Sequence, residues 1–579
     1  MRNALATRTS SKLPWGTKRY FDRAQFDADL ARIRAFYSDR GFPDARVTNF
    51  DVKLNQKQDA VDLVISIEEG HPVIVKKLVF EGFEPIPPKH LETLTERSPV
   101  RVDRPRDRQL VLSARDMSLN ELQDHGYPYA TVRVDENDGA TGKEASLTII
   151  GVPGKLARFG ETEIQGETRI SEKVIRRALT LKPGDVYRQS QVQNNQRRLY
   201  ATSLFQYVNV EPAHLDQQPD EVPMKVTVAE GPHQRVNLSA GYGTEEQVRV
   251  DTEYRRLNFL GGGRTAGIHA RWSALDRGVQ ADLTQPYFLD PRITLGVQAQ
   301  DWLTFTPAYR STNTGATVTG TYQVRQRLSL SLSAMASESS SFVAPSILAD
   351  PKNRNALIAL GLNPQTGEQS GSINAVRAEI KQSTAGNLLN PRRGYQLGFS
   401  IEQAGRIIPG TFQYTALAGD GRHYLPLGNR VVWANRLQIA NIGPATNNPL
   451  TVPFSKKLFL GGATSIRGWG RYEVSPLSDA GLPIGGNSSL AFSSEMRAPV
   501  HGSFGVVAFL DGGNVWARSW GIRADDLRYA VGAGLRYETP IGPLRFDYGY
   551  QLNPIPGLVV EGEPQTRRWR LHFSIGQAF

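Results

Sequence analysis

Cysteine is absent from the 579 residues. That removes a disulfide framework, a thiolate metal site and a thiol nucleophile together. Long apolar runs are absent as well: stretches such as Val506-Val507-Ala508-Phe509-Leu510 fall far short of the roughly 20 residues that span a bilayer as a helix. A membrane location would therefore have to be reached with strands. The mean hydropathy of -0.38 does not oppose this, because only alternate residues of a barrel strand face lipid. Residues 1–15 lack the apolar core of a signal peptide, so the chain is either a mature or truncated form, or not exported. A concentrated basic patch is missing too. Residues 1–232 carry 34 Lys and Arg against 33 Asp and Glu, and residues 233–579 carry 34 against 24. The excess is scattered over alternating segments as isolated Arg, without the clustered cations and interleaved aromatics of a phosphate-tracking groove, so no nucleic-acid partner is expected. A barrel lumen and rim explain the same excess.

What is present falls into two halves. The first 232 residues repeat a unit of about 80 residues. Helical patterns at Phe26–Arg40, Leu110–His125 and Gln191–Ala201 each run into an extended segment, twice through a related turn, Gly41-Phe42-Pro43 and Gly126-Tyr127-Pro128. Alternating strands follow at Val61–Glu68, Ala145–Gly151 and Val222–Ala229. Between units come a strand and a short helix, at Ile74–Gly82 with Pro87–Leu94 and at Ala157–Gly166 with Ser171–Leu179. The order strand-helix-helix-strand-strand predicts α+β domains with helices on one face of a three-stranded sheet. The expected boundaries are 1–71, a partial copy without its opening strand and helix, then 72–154 and 155–232.

From residue 233 to 579 the helical period vanishes. Segments such as Arg327–Ser333, Tyr395–Ile401 and Ser489–Met496 alternate between apolar and polar, with Gly, Asn, Pro and Asp clusters between them. Strands of about 10 residues with connections predict about sixteen antiparallel strands. The final eleven residues put Trp569, Leu571, Phe573 and Ile575 on one face and Arg570, His572 and Ser574 on the other. That is a strand with an apolar outer face and a wet inner one. By the same rule Phe509, Asp511, Glu495, Arg497, Arg536, Glu538, Arg545 and Asp547 point inward. The nine histidines are scattered without close pairing, and no nucleophile and base adjoin one another. No metal, cofactor or catalytic centre is expected, which leaves an outer-membrane hydrolase without support.

Small repeated α+β domains ahead of an alternating-strand region, with Ser465-Ile466-Arg467-Gly468-Trp469 in a long loop, resemble the BamA/TamA family of outer-membrane assembly proteins and their POTRA domains. Phe509-Leu510-Asp511-Gly512-Gly513, Gly532–Tyr537, Thr539–Arg545 and the terminal Phe573–Phe579 match in order and spacing. The resemblance implies POTRA-like repeats in the periplasm followed by an all-β barrel of about 16 strands in the bacterial outer membrane. It implies that the loop motif Ile466, Arg467, Gly468 and Trp469 folds into the lumen and that Arg467 meets Asp511, on a wall that includes Phe509, Gly513, Glu495 and Arg497. It also implies assembly and insertion of other barrel proteins rather than enzyme chemistry. Its partners would be unfolded outer-membrane protein clients, outer-membrane lipids, and periplasmic accessory or inner-membrane proteins. A barrel closed by few hydrogen bonds between its first and last strands has an edge that can template an incoming strand. The seam residues are then Ser239, Gly241 and Gly243 on one side and Phe573, Gly576 and Phe579 on the other. The competing reading is a two-partner-type secretion pore that exports a soluble partner through the lumen. Relatives of that kind carry two POTRA-like domains and a plug helix, whereas two complete units, a partial third and no evident plug helix are found here.

Overall fold

The structure is a computed structural model. It describes residues 5–10, 18–56, 60–139, 142–386, 390–428, 430–445, 448–539, 544–560 and 562–575. Contacts divide the chain into two units, Met1–Glu167 with Leu179–Glu230, and Thr168–Ala178 with Gly231–Phe579.

In the first unit a helix, Arg23–Asp39, is started by Asp22, whose side chain accepts from the Gln25 N–H at 3.0 Å, a cap that satisfies one of the helix's orphan donors. The antiparallel pair Arg46–Leu54 and Val61–Glu68 follows. Next come the strand Ile74–Glu81, the helices Pro88–Arg97 and Arg108–Asp124, and the strands Thr131–Asp138 and Glu144–Val152. The last strand in sequence is central in space, parallel to Ile74–Glu81 and antiparallel to Thr131–Asp138. Its inward residues Ala145, Leu147 and Ile149 are buried, the latter two beside Leu94 and Leu122 of the helices. The strands Arg158–Gln165, Phe205–Pro212 and Glu221–Glu230 repeat this topology. The likeness extends to single residues. Gly82 and Gly166 both end the opening strand with positive φ, +77° and +93°, where a Cβ would collide with the carbonyl of the central strand. Only glycine satisfies both conditions.

The second unit is a sixteen-stranded antiparallel sheet running from Gln234–Gly243 to Trp569–Ile575, each strand bonded to its neighbours in sequence. Burial is inverted relative to a soluble protein. Leu238 on the first strand is 73% exposed, whereas Arg545 and Asp547 are 1% and 0% exposed. Leu535, Phe546, Tyr548 and Trp569 also face out. Charged residues are almost never fully buried unless paired. Apolar residues outside and paired charges inside are what a lipid-facing barrel requires. Among the described residues no helix is long and apolar enough to cross a membrane.

Among the described residues, no ladder joins the first strand to the last. They approach where a Cβ on Gly243 would stand 3.4 Å from the Phe573 carbonyl oxygen. Two expectations change. Glu538 lies past the strand Arg528–Tyr537 and is exposed, accepting from Asn390 at 2.9 Å, so the inward alternation stops at Arg536. His90 and His125 are not scattered, because packing of the two middle-repeat helices brings their rings to 4.8 Å.

A sheet whose backbone bonds run through sixteen strands resists detergent until heated. Unboiled protein in SDS should therefore migrate differently from boiled protein. Identical migration, with far-ultraviolet circular dichroism dominated by helix, would contradict the barrel.

Candidate functional site

The chain between the strands Val431–Pro444 and Ser488–His501 returns into the lumen and carries Arg467, which is 1% exposed. Its Nε and Nη2 donate to the two carboxylate oxygens of Asp511 at 2.7 and 2.8 Å, and its backbone N–H donates to Asp511 Oδ2 at 3.1 Å. Nη1 donates to Glu495 Oε2 at 2.7 Å and lies 3.4 Å from Asp547 Oδ2. The guanidinium carbon stacks 3.3 Å from the centroid of the Phe509 ring. Asp511 takes a further bond from Ser493 Oγ at 2.6 Å. The two-pronged match to Asp511 suits a planar guanidinium and no other cation. Burial opposes the charge on Arg467, but Asp511, Glu495 and Asp547 outweigh it and raise its pKa above the ordinary arginine value.

Glu495 and Asp547 have further cations, whereas Asp511 has the Ser493 hydroxyl. Arg497 donates to Glu495 at 2.7 Å, Arg536 to Asp547 at 2.5 Å, and Arg545 Nε lies 3.1 Å from Asp547. Arg545 also donates to the Ala463 carbonyl of the loop. The loop backbone is gripped too. Gln551 donates to the Gly468 carbonyl at 2.8 Å, and a Cβ at Gly549 would collide with the Arg467 carbonyl, so the wall needs glycine there for the loop to come this close. Ile466 and Trp469 are buried with Val474, Ala530 and Leu558.

His572 of the last strand is fully buried, with Nε2 2.7 Å from the Arg467 carbonyl and Nδ1 3.2 Å from Glu245 Oε1. Glu245 lies in the turn after the first strand. Burial works against its charge, but His572, the Ala463 N–H and Arg570 hold its carboxyl below the usual range. One side chain therefore connects both sides of the seam to the loop. Arg570, also on the last strand, donates to Glu473 at 2.5 Å, and Glu473 accepts from the Gly470 N–H at 2.7 Å.

The structure thus gathers Arg467, Phe509, Asp511, Glu495 and Arg497, with Ile466, Gly468 and Trp469 packed beside them. Gly513 serves the wall itself, pairing with Ala491 and Arg528 in the ladders. Gly243 and Phe573 meet at the seam, and Gly241 faces Arg249 on the next strand. Ser239 is four residues from Gly243, about 13 Å along a strand rising about 3.3 Å per residue, and so is not opposite Phe573. Gly576 and Phe579 lie outside the described residues. Glu245, His572, Asp547, Arg545, Gln551 and Gly549 complete the site. Alternation marks His572, Asp547 and Arg545 as inward but carries no signal that they converge on one loop.

Removing one partner of a buried pair costs about 3–5 kcal/mol. Arg467→Ala and Asp511→Ala should each lower stability by roughly that amount in urea unfolding of detergent-folded protein. The double variant should lose less than the sum by at least about 1 kcal/mol. Strict additivity would show that the two side chains do not meet in solution.

The Omp85 superfamily domain matches residues 258–579, and the POTRA domain, described as a surface antigen variable number repeat, matches residues 5–70 and 157–231. An outer membrane protein assembly factor BamA of Neisseria meningitidis is 23% identical over 96% of this chain and 73% of its own length. A BamA of Nitratidesulfovibrio vulgaris is 23% identical over 96% and 68%. Among solved structures, Haemophilus ducreyi BamA lacking POTRA domains 1–3 superimposes with a TM-score of 0.64 at 18% identity, covering 87% of this chain and 99% of that one. CdiB from Acinetobacter baumannii gives 0.50 at 13% identity over 96% and 100%, a likeness of fold alone. Proteins of this architecture place the barrel in the outer membrane and the POTRA repeats in the periplasm, and so does this one. With more than half its residues matched, this chain belongs to the Omp85 superfamily.

Proposed function

We propose that this protein inserts unfolded barrel proteins into the outer membrane, acting as a template and not as an enzyme. The observation that carries the reading is the seam. Among the described residues the first strand has no ladder to the last, and an edge so placed presents a row of backbone donors and acceptors to the next strand that arrives. Its outer face, with Val236 and Leu238 exposed, suits a client that must emerge into lipid. The relatives named as outer membrane protein assembly factors support an assembly role. In the repeats, Thr131–Asp138 is an outer strand of its sheet, and so is Ile74–Glu81 beyond Val75, whose N–H and carbonyl are bonded to Arg104 and Asp103; such edges can hold an extended client by adding it as another strand. Outer-membrane lipid meets the apolar belt. Periplasmic or inner-membrane accessory proteins would act on the repeats.

Client entry requires the first strand to leave the last. Gly243 and Ser574 both face the lumen, Gly243 on the face opposite the exposed Tyr242, and Ser574 paired with buried Arg545. Cysteines introduced at these two positions would be the only ones in the chain. With the crosslink formed, assembly of a barrel client into vesicles should stop, and reductant should restore it. A pore exporting cargo along the lumen would be indifferent. Full assembly activity with the crosslink complete would overturn the templating reading in favour of the secretion pore.

A further inference from the structure

We propose that His90, Glu121 and His125 of the middle repeat bind one divalent transition-metal ion of the zinc class. Glu121 and His125 stand four residues apart, on the same side at the end of the helix Arg108–Asp124, a spacing that stacks side chains on one face. The helix Pro88–Arg97 packs into the same core through Leu94, beside Leu122, and this brings His90 over them. His90 Nδ1 is 3.1 Å and His125 Nδ1 3.5 Å from the same oxygen, Glu121 Oε1. One ligand atom from each of the three side chains lies within 4.8 Å of the others.

Ligands at about 2.0–2.1 Å from a tetrahedral ion stand about 3.3–3.4 Å from one another. Two of the three separations already match, and a turn of the exposed His90 ring closes the third. Two imidazoles and one carboxylate, with no thiolate, suit zinc and its neighbours. Calcium and magnesium instead require six or more oxygens, or near-octahedral oxygen coordination. Three protein ligands leave a fourth position for water. The Glu121 carbonyl, 2.8 Å from His125 Nδ1, competes for that nitrogen, so the ion replaces this bond or takes the Nε2 side.

The location gives the ion a use. Asp124, next to His125, accepts from the Ser190 N–H at 2.5 Å, and Tyr129 donates to the Pro219 carbonyl at 2.5 Å. The cluster therefore sits where the middle repeat is bonded to the last. An ion there ties the short helix to the end of the long one and stiffens the joint between repeats.

The test uses the untagged full chain in detergent, stripped with chelator and titrated calorimetrically with Zn²⁺. One saturating site is expected, and Co²⁺ should give the visible absorption of a tetrahedral centre. His90→Ala and His125→Ala should each weaken Zn²⁺ binding at least about tenfold and abolish the Co²⁺ bands. His90 is exposed, so its variant should keep wild-type heat-modifiable migration, which separates loss of a ligand from loss of fold. Absence of a stoichiometric site, or undiminished binding in both variants, would overturn the proposal and leave a hydrogen-bonded cluster.

Discussion

The site rests on one constraint: a guanidinium withdrawn from water must meet negative charge in good geometry, or the fold loses more than it gains. Arg467 meets this with Asp511, Glu495 and Asp547, which come from three different strands. All three are buried themselves; Glu495 takes Arg497, Asp547 takes Arg536 and Arg545, and Asp511 takes the Ser493 hydroxyl as further partners. Loop and wall are therefore mutually dependent. Without the loop, three buried acids would lose their shared cation; without the wall, the loop would carry a charge it could not bury. The ring of Phe509 under the guanidinium and the glycine at position 549 make the approach sterically possible.

Much of this was legible in the sequence because both halves have strict periods. Alternation assigned Asp511, Glu495, Arg545 and Asp547 to the lumen, and the internal repeat gave the order of helices and strands that the first unit adopts. The Arg467–Asp511 contact came from resemblance, since periodicity says which face a residue takes but not which loop it meets. Two groupings were invisible for a different reason. His572 and Glu245 are separated by nearly the whole barrel in sequence and join only because the sheet curves round on itself. His90 and His125 sit on separate helices whose crossing is set by Leu94 and Leu122 in the core. Spacing alone made them look unrelated.

The seam is asymmetric, and under the templating proposal that asymmetry decides how it would open. The last strand is held by its ladder to Leu544–Gln551, by His572 on the Arg467 carbonyl and by Arg570 on Glu473. The first strand is held by its ladder to Gln247–Leu257 on one side. On the other, among the described residues, the close approach of Gly243 to Phe573 and the reach of Glu245 to His572 take the place of a ladder. A lone side-chain contact is weaker and more exchangeable than a run of backbone bonds, and glycine at the point of approach adds no side-chain packing. Separation would therefore move the first strand and its turn away from a last strand fixed to the loop, and the loop to the wall. On the templating proposal the buried Arg467 network would be the stationary side of the gate, and the contacts of Glu245 with His572 and the Ala463 N–H, with the approach of Gly243 to Phe573, would be the part that breaks.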